Sequence, residues 1–283
     1  MTETEEDWGL GTATHQESVA ARMWLAKRGA HVHTPRPLLT VRLGQRTRRR
    51  VWFKYYAVFM LLALVGLFGY RMVQDLPNVH GKEMTEGVIF LFIYCALQLA
   101  HWRTWSRVDR ALAAHKTLTD PNRPRPPWWK VLGGWYIAAT AVTFGGGAAL
   151  GIAVLVTTPA RTYAWSLLGL LAISALCTAV VLTSALRAPV IADDEATRAV
   201  DDLVRAENAD IAFPAVFSVP LIFDLFEGKQ PPGFTAPLIG YILLSLGLQI
   251  VAVVLHSRRA LPPGNYGLRA AEQAEDTSGI TEG

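Results

Sequence analysis

Charge is scarce in this sequence. Asp, Glu, Lys and Arg make up 18% of its 283 residues, where a soluble domain carries about 25%. Cysteine is nearly absent: Cys95 and Cys177 are the only two. Both fall inside apolar stretches, which excludes a disulfide framework and reads them as small packing residues. Several catalytic signatures are missing as well. There is no phosphate-cradling Gly-Lys-Ser/Thr loop, no Gly-x-Ser-x-Gly elbow and no His-Glu-x-x-His pair. Nucleotide hydrolysis by the chain itself is therefore not expected. Nor is an N-terminal secretory signal, because the first apolar run follows about fifty polar residues.

What is abundant is apolar sequence: 51% of the residues, gathered into windows at 52–73, 87–106, 131–156, 164–186, 211–226 and 236–256. A helix of about 20 residues crosses a hydrocarbon core of roughly 30 Å. These windows mostly lack the polar face of a core helix in a soluble protein. They predict an all-α, polytopic membrane protein with six transmembrane helices and no cofactor. A polar N-terminal tail (1–51) precedes the spans, helical loops at 107–130 and 187–210 interrupt them, and a polar tail (257–283) follows.

Lys and Arg alternate between the connecting segments. With helix-end Arg71 and Arg103 counted in the adjoining loops, they number 9, 2, 7, 1, 3, 1 and 3 from the N-terminal tail to the C-terminal tail. Cytoplasmic segments retain such residues, so both termini are expected inside a plasma membrane, with the helices paired as three in-out-in hairpins. Arg46 to Arg50 then flank the first span at the level of anionic headgroups, a topology signal and not a nucleic-acid site. Trp52, Trp102, Trp105, Trp128 and Trp129 mark inner ends and Trp165 an outer end, as interfacial rings do. Trp135, deeper in the third span, reads as a packing residue.

In the N-terminal tail, Thr14 and Glu17 fit a capping box and Gly29 a helix stop. Val19, Ala20, Met23 and Trp24 share a face, which suits a short helix lying on the membrane or on the protein's own loops. His31 and His33 are two ligands without a third and specify no zinc site. His80, His101 and His256 lie at span ends or in a loop and read as interfacial caps. The loop after the second span should continue that helix to about His115. Pro121, Pro124, Pro126 and Pro127 then form a stiff re-entry.

The loop at 187–210 is the most distinctive polar segment. Asp193 is the expected N-cap of a helix whose apolar stripe, Ala196, Val200, Leu203 and Val204, is a candidate docking surface. Asp194 with Arg198 and Asp201 with Arg205 are i,i+4 pairs. This loop is net acidic and the loop at 103–130 net basic, so either the basic loop or a cytoplasmic protein, an ATPase or a regulator, is expected to cover the stripe. Asp194, Asp201 and Asp202 are weak candidates for a metal. The long aspartate signature of the CDP-alcohol phosphotransferases is absent, and a solvated or docking face is the expectation.

Inside the spans, Pro214 and Pro220 interrupt the short fifth window, and Asp224 is the only acid in any window. Short, broken segments line sites in transporters, so these three residues mark a possible transport site. Gly147 and Gly151 form a small-xxx-small pair for close helix packing, or for a homodimer seam. Gln98 and Gln249 lie at similar depths and are expected to bond across the bundle. Six spans, both termini inside, an N-terminal surface helix and a helical loop between spans two and three resemble the membrane subunit of ABC-2-type exporters. That resemblance implies a separate ATPase partner. The function expected is a non-catalytic accessory, scaffold or regulatory membrane component. Alternatives are a transporter subunit and a Mg-dependent lipid-modifying enzyme.

Overall fold

The computed structural model describes residues 14–44, 46, 85–114, 126–192, 194–226, 228 and 230–267. The expected first span, 52–73, lies outside them. Helix α1 is His15–Ala26, closed by the expected capping box: Glu17 N–H donates to the Thr14 hydroxyl, and Thr14 N–H to the Glu17 carboxylate. Gly29, at a φ of 86° that other residues rarely adopt, follows its end. Residues 37–44 form a second short helix, α2.

Helix α3, Thr85–Ala113, covers the residues 87–106 where a second span is expected and continues beyond them, but is not among the runs long and apolar enough to cross a membrane. Helix α4, Trp128–Ala141, runs through a π-helical turn at Val142–Gly146 into α5, Gly147–Thr157. Helix α6 is Arg161–Arg187 and α7 is Glu195–Ala209. A 3-10 turn at Pro214–Phe217 leads into α8, Ser218–Phe226, and α9 is Thr235–Ser257. Among the described residues there is no strand, only an isolated bridge between Pro35 and Gly267.

Among the described residues, four helical runs are long and apolar enough to cross a membrane: Trp128–Thr157, Arg161–Arg187, Glu195–Phe226 and Thr235–Ser257. Their outward faces carry large apolar side chains, among them Ile152, Val156, Leu176, Leu243 and Ile250, as a membrane-embedded protein requires. Trp135 belongs to this outward set, 51% exposed, and not to the packed interior as expected. The expected short span at 211–226 is the second half of the run that begins with α7. Pro214 opens the 3-10 turn and Pro220 sits in the first turn of α8. There the missing N–H has no intrahelical partner to lose, so the prolines turn the chain at helix starts and break no formed helix.

Helices α4 and α9 pack antiparallel in a register that sets Thr143 against Ser245 and Leu132 against His256. Gly151 lets α5 approach α6: a Cβ there would meet Leu168 at 2.7 Å, and one at Gly147 would meet Leu171 and the Tyr241 hydroxyl at 3.0 Å. This is the expected internal packing role of the two glycines. Helix α3 joins α6 and α8 through Leu91, Tyr94, Cys95, Cys177 and Val216.

Helix α7 lies across one end of the bundle, called the base here, against α4, α6 and α9. Its stripe is covered, but not by the described part of the basic segment at 103–130. Ala21, Trp24 and Leu25 of α1, Leu39 and Leu43 of α2 and Tyr266 pack on Val200, Leu203 and Val204, with Ala196 beside them. The described part of the basic segment sends Leu112 elsewhere, to Leu38 and Ile191. The N-terminal tail wins because it brings a tryptophan and several leucines to a stripe that needs apolar area.

Burying a leucine contributes about 1.5–3 kcal/mol. Leu203→Asp should therefore loosen residues 14–44, speeding tryptic cleavage at Lys27 and Arg28 by at least tenfold. Unchanged cleavage kinetics would contradict the packing.

Candidate functional site

The base holds a network of buried ion pairs. Asp201, expected on a solvated flank, is 1% exposed. Its Oδ1 accepts from Arg42 Nη2 at 2.6 Å and its Oδ2 from Arg205 Nη2 at 2.9 Å. The expected Asp201–Arg205 pair is thus present, but inside the protein. Arg42 also donates through Nε to Asp109 at 2.9 Å and through Nη1 to the Ile191 carbonyl. Arg205 gives its remaining Nη hydrogens to the carbonyls of Ala185, Leu186, Ala188 and Pro189. It thereby caps the end of α6, where the helix dipole favours a cation.

The N-terminal tail is tied down by the same chemistry. Arg28 pairs with Glu207 and stacks over Trp24, 3.9 Å from the ring centre, and Trp24 Nε1 donates to Glu207 as well. Arg46 reaches Glu207 and Asn208, and Asn208 donates to Asp109. Arg36 meets Asp194 at 2.6 Å. Asp194, not Asp193, is the N-cap of α7, exchanging hydrogen bonds with Thr197; Asp193 lies outside the described residues.

Burial alone would pull the Arg42 guanidinium down, but the charges of Asp109 and Asp201 outweigh it and hold its pKa above the usual arginine value. For Arg46 burial wins over Glu207 and Asp109, and the pKa falls. Asp109 is pushed up by burial and pulled down further by Arg42 and Arg46, ending below the usual carboxylate range. Asp194 ends low as well: burial is outweighed by the Thr197 hydrogen bonds and Arg36.

Beside the network lies a cavity of about 200 Å³, lined by Trp102, Ser106 and Asp109 of α3, Ser184 of α6, and Arg42 and Arg205. Of the three metal candidates only Asp201 lines it, with its two oxygens held by Arg42 and Arg205. Asp194 and Asp202 border a separate open groove with Glu195 and Arg198, and one Asp202 oxygen is buried without a hydrogen-bond partner. Among the described residues no three His, Cys, Asp or Glu side chains are grouped to hold a metal ion.

A second junction sits where α4, α7 and α9 meet. Gly133 leaves the helical conformation (φ 73°, ψ 159°), which frees the carbonyls of the turn before it. Arg259 Nη1 donates to those of Lys130 and Val131, at 3.4 and 3.0 Å. His256 Nε2 lies 2.6 Å from the Leu132 carbonyl and Nδ1 lies 2.8 Å from Asp210 Oδ1. His256 is therefore a buried cross-link and not the expected interfacial cap. Tyr136 stacks on the imidazole and donates its hydroxyl to the carbonyls of Ala209 and Ala212.

Above this junction a polar seam follows the buried face of α9. The Tyr241 hydroxyl donates to the Thr143 carbonyl at 2.7 Å, inside the π turn, and the Thr143 and Ser245 hydroxyls pair at 2.6 Å. Gln249 is fully buried on the same face, and neither amide atom has a hydrogen-bond partner. The expected Gln98–Gln249 bond does not form, because α3 packs on α6 and α8 instead of α9. Gln98 donates to the Ile211 carbonyl and accepts from the Cys177 thiol. At the end away from the base, Asp224 accepts from the Tyr163 hydroxyl at 3.1 Å. Pro214 opens the 3-10 turn that leads into α8, and Pro220 lies one turn before Asp224 on α8.

Sequence reasoning missed Arg42, Asp109, Asp210 and Tyr136. The one legible signal was that Arg42 and Arg46 stand four apart in the tail, on one face of a helix. No protein-family model matches the chain, and no curated protein or solved structure matches it.

Removing one partner of a buried ion pair costs about 3–5 kcal/mol, because a desolvated charge is left behind. Asp201→Asn should therefore destabilise the protein strongly and Asp202→Asn little, read as the thermal midpoint in detergent; equal shifts would contradict the burial of Asp201. Because the folded-state pKa values of Asp109 and Asp194 are depressed, their contribution is complete above the ordinary carboxylate titration. It is lost as pH falls below about 4. Residues 14–44 should become protease-sensitive in that acid window and remain protected on the alkaline side.

Proposed function

We propose that the chain is a non-catalytic, multi-pass membrane component that presents a folded module on the cytoplasmic side of a plasma membrane. In this reading six spans form three in-out-in hairpins, both termini are inside, and the base faces the cytosol. The carrying observation is the fate of Asp194, Asp201 and Glu207. Asp201 has each oxygen on a guanidinium, Asp194 is held by Arg36 and Thr197, and Glu207 binds Arg28 and Arg46. Carboxylates so engaged are poor ligands for Mg²⁺, which binds through oxygens that must be free to face it. This weighs against the lipid-modifying enzyme. The same contacts fasten the tail to the bundle as one rigid cytoplasmic surface, as an accessory or scaffold subunit needs.

Since the stripe of Ala196, Val200, Leu203 and Val204 is occupied from within the chain, a partner would meet the outside of the module instead. Met23 on α1, 69% exposed, is its most prominent apolar residue. A photo-crosslinking side chain at Met23 in native membranes should give one discrete protein adduct, while one at Val156 on the lipid-facing surface should give none. Lipid adducts alone from Met23 would overturn the accessory reading.

A transporter subunit is the second reading, and one observation favours it. The π turn at Val142–Gly146 faces a fully buried seam that contains Gln249. Polar groups and irregular backbone at such depth mark substrate paths in many transporters. If that path exists, Gln249→Leu and Pro220→Ala should alter transport by an intact complex without lowering the amount of inserted protein.

A further inference from the structure

We propose that His256 and Asp210 form a proton-binding site at the base, and that its proton holds the first turn of α4 against α9. The argument starts from what each atom can do. A backbone carbonyl only accepts, so the imidazole Nε2, 2.6 Å from the Leu132 oxygen, carries a hydrogen. Nδ1 lies 2.8 Å from a carboxylate oxygen, and two bare acceptors do not stay at that distance. A hydrogen therefore lies between them, bonded either to Nδ1, giving imidazolium and carboxylate, or to Asp210, giving a neutral pair. In both forms the pair holds two protons, one more than neutral histidine with an ionised aspartate.

Loss of that extra proton to the aqueous phase leaves one proton for two acceptors. The neutral imidazole keeps it on the Nδ1 side, where a full carboxylate charge makes the stronger hydrogen bond. Nε2 then turns a lone pair to the Leu132 carbonyl, and that contact opens. The hinge for this movement is already built: Gly133, at φ 73°, separates the turn that carries Leu132 from the rest of α4. The exit route for the proton is Asp210, whose side chain is 18% exposed against 4% for His256.

The charged and titratable surroundings are accounted for on every side. From α4 come the Tyr136 ring, stacked on the imidazole, and the partial negative charges of the freed carbonyls, which favour a cation. From α7 the Glu207 carboxylate faces Asp210, and beyond α9 the Arg259 guanidinium does, with opposite charge. Arg259 also holds the Lys130 and Val131 carbonyls, so the turn stays tethered when the Leu132 contact opens. Stabilisation by this site is present at low pH and lost as pH rises through the titration of the pair.

The test is NMR of the full chain in nanodiscs with ¹⁵N-histidine and ¹³C-carboxyl aspartate, between about pH 5 and about pH 9. The signal that disappears in His256→Gln identifies His256 among the seven histidines. The expected result at the acid end is two protons on the pair, counted from the two ring nitrogens and the Asp210 carboxyl. One proton should be released as pH rises, and the Leu132 carbonyl shift should move with the same midpoint. In Asp210→Asn, His256 should carry a single ring proton across most of the range. A singly protonated His256 beside an ionised Asp210 at the acid end would overturn the proposal. So would a Leu132 shift that ignores the titration.

Discussion

A carboxylate with its solvent removed must be given charge and hydrogen bonds from the protein, and Asp201 imposes that constraint on the base. Taking an ion out of water costs several kcal/mol even after relaxation. Asp201 is compensated by two guanidinium groups from different parts of the chain, Arg42 from the N-terminal tail and Arg205 from one turn along its own helix. Each guanidinium in turn needs its remaining hydrogens placed. Arg205 finds the last carbonyls of α6, and Arg42 finds Asp109 on α3 and the Ile191 carbonyl. One buried acid therefore ties α2, α3, α6 and α7 into a single junction.

The second junction follows the same logic with backbone carbonyls in place of the carboxylate. There the unmet groups are carbonyls, released where Gly133 departs from the helix, and the His256 imidazole and the Arg259 guanidinium approach from the end of α9. Between the two junctions α7 acts as a lintel. One face takes the apolar cover of α1, α2 and Tyr266, and the other engages the ends of the bundle helices. The interior above is different in kind: hydroxyls and an amide line one face of α9, with no charge among Tyr241, Ser245 and Gln249.

Periodicity and composition made the long helices legible, because a run of some twenty apolar residues has few alternatives. The capping box at Thr14 and Glu17 and the helix at 195–209 were legible for the same reason: each is set by residues close in sequence. What escaped was set by long-range partners. Asp201 and Arg205 read as an exposed i,i+4 pair because nothing local says that Arg42, over 150 residues earlier, will cover them. Pro214 and Pro220 read as helix breakers because a proline's effect depends on whether it falls inside a helix or at its start. The stripe on α7 was recognised, but its cover was not, since charge balance favoured the basic loop while apolar area favoured the tail. His256 read as an interfacial cap and Asp210 was missed, because only the fold brings them together.

The central claim is that the Arg42–Asp201 contact couples the N-terminal tail to the bundle. A double-mutant cycle with Arg42→Met and Asp201→Leu tests it, reading the free energy of releasing residues 14–44 from native-state proteolysis in detergent. Directly bonded charges should show a coupling of about 1.5–3 kcal/mol, with the double variant more stable than the sum of the singles implies. Strict additivity, a coupling within about 0.5 kcal/mol of zero, would contradict the account.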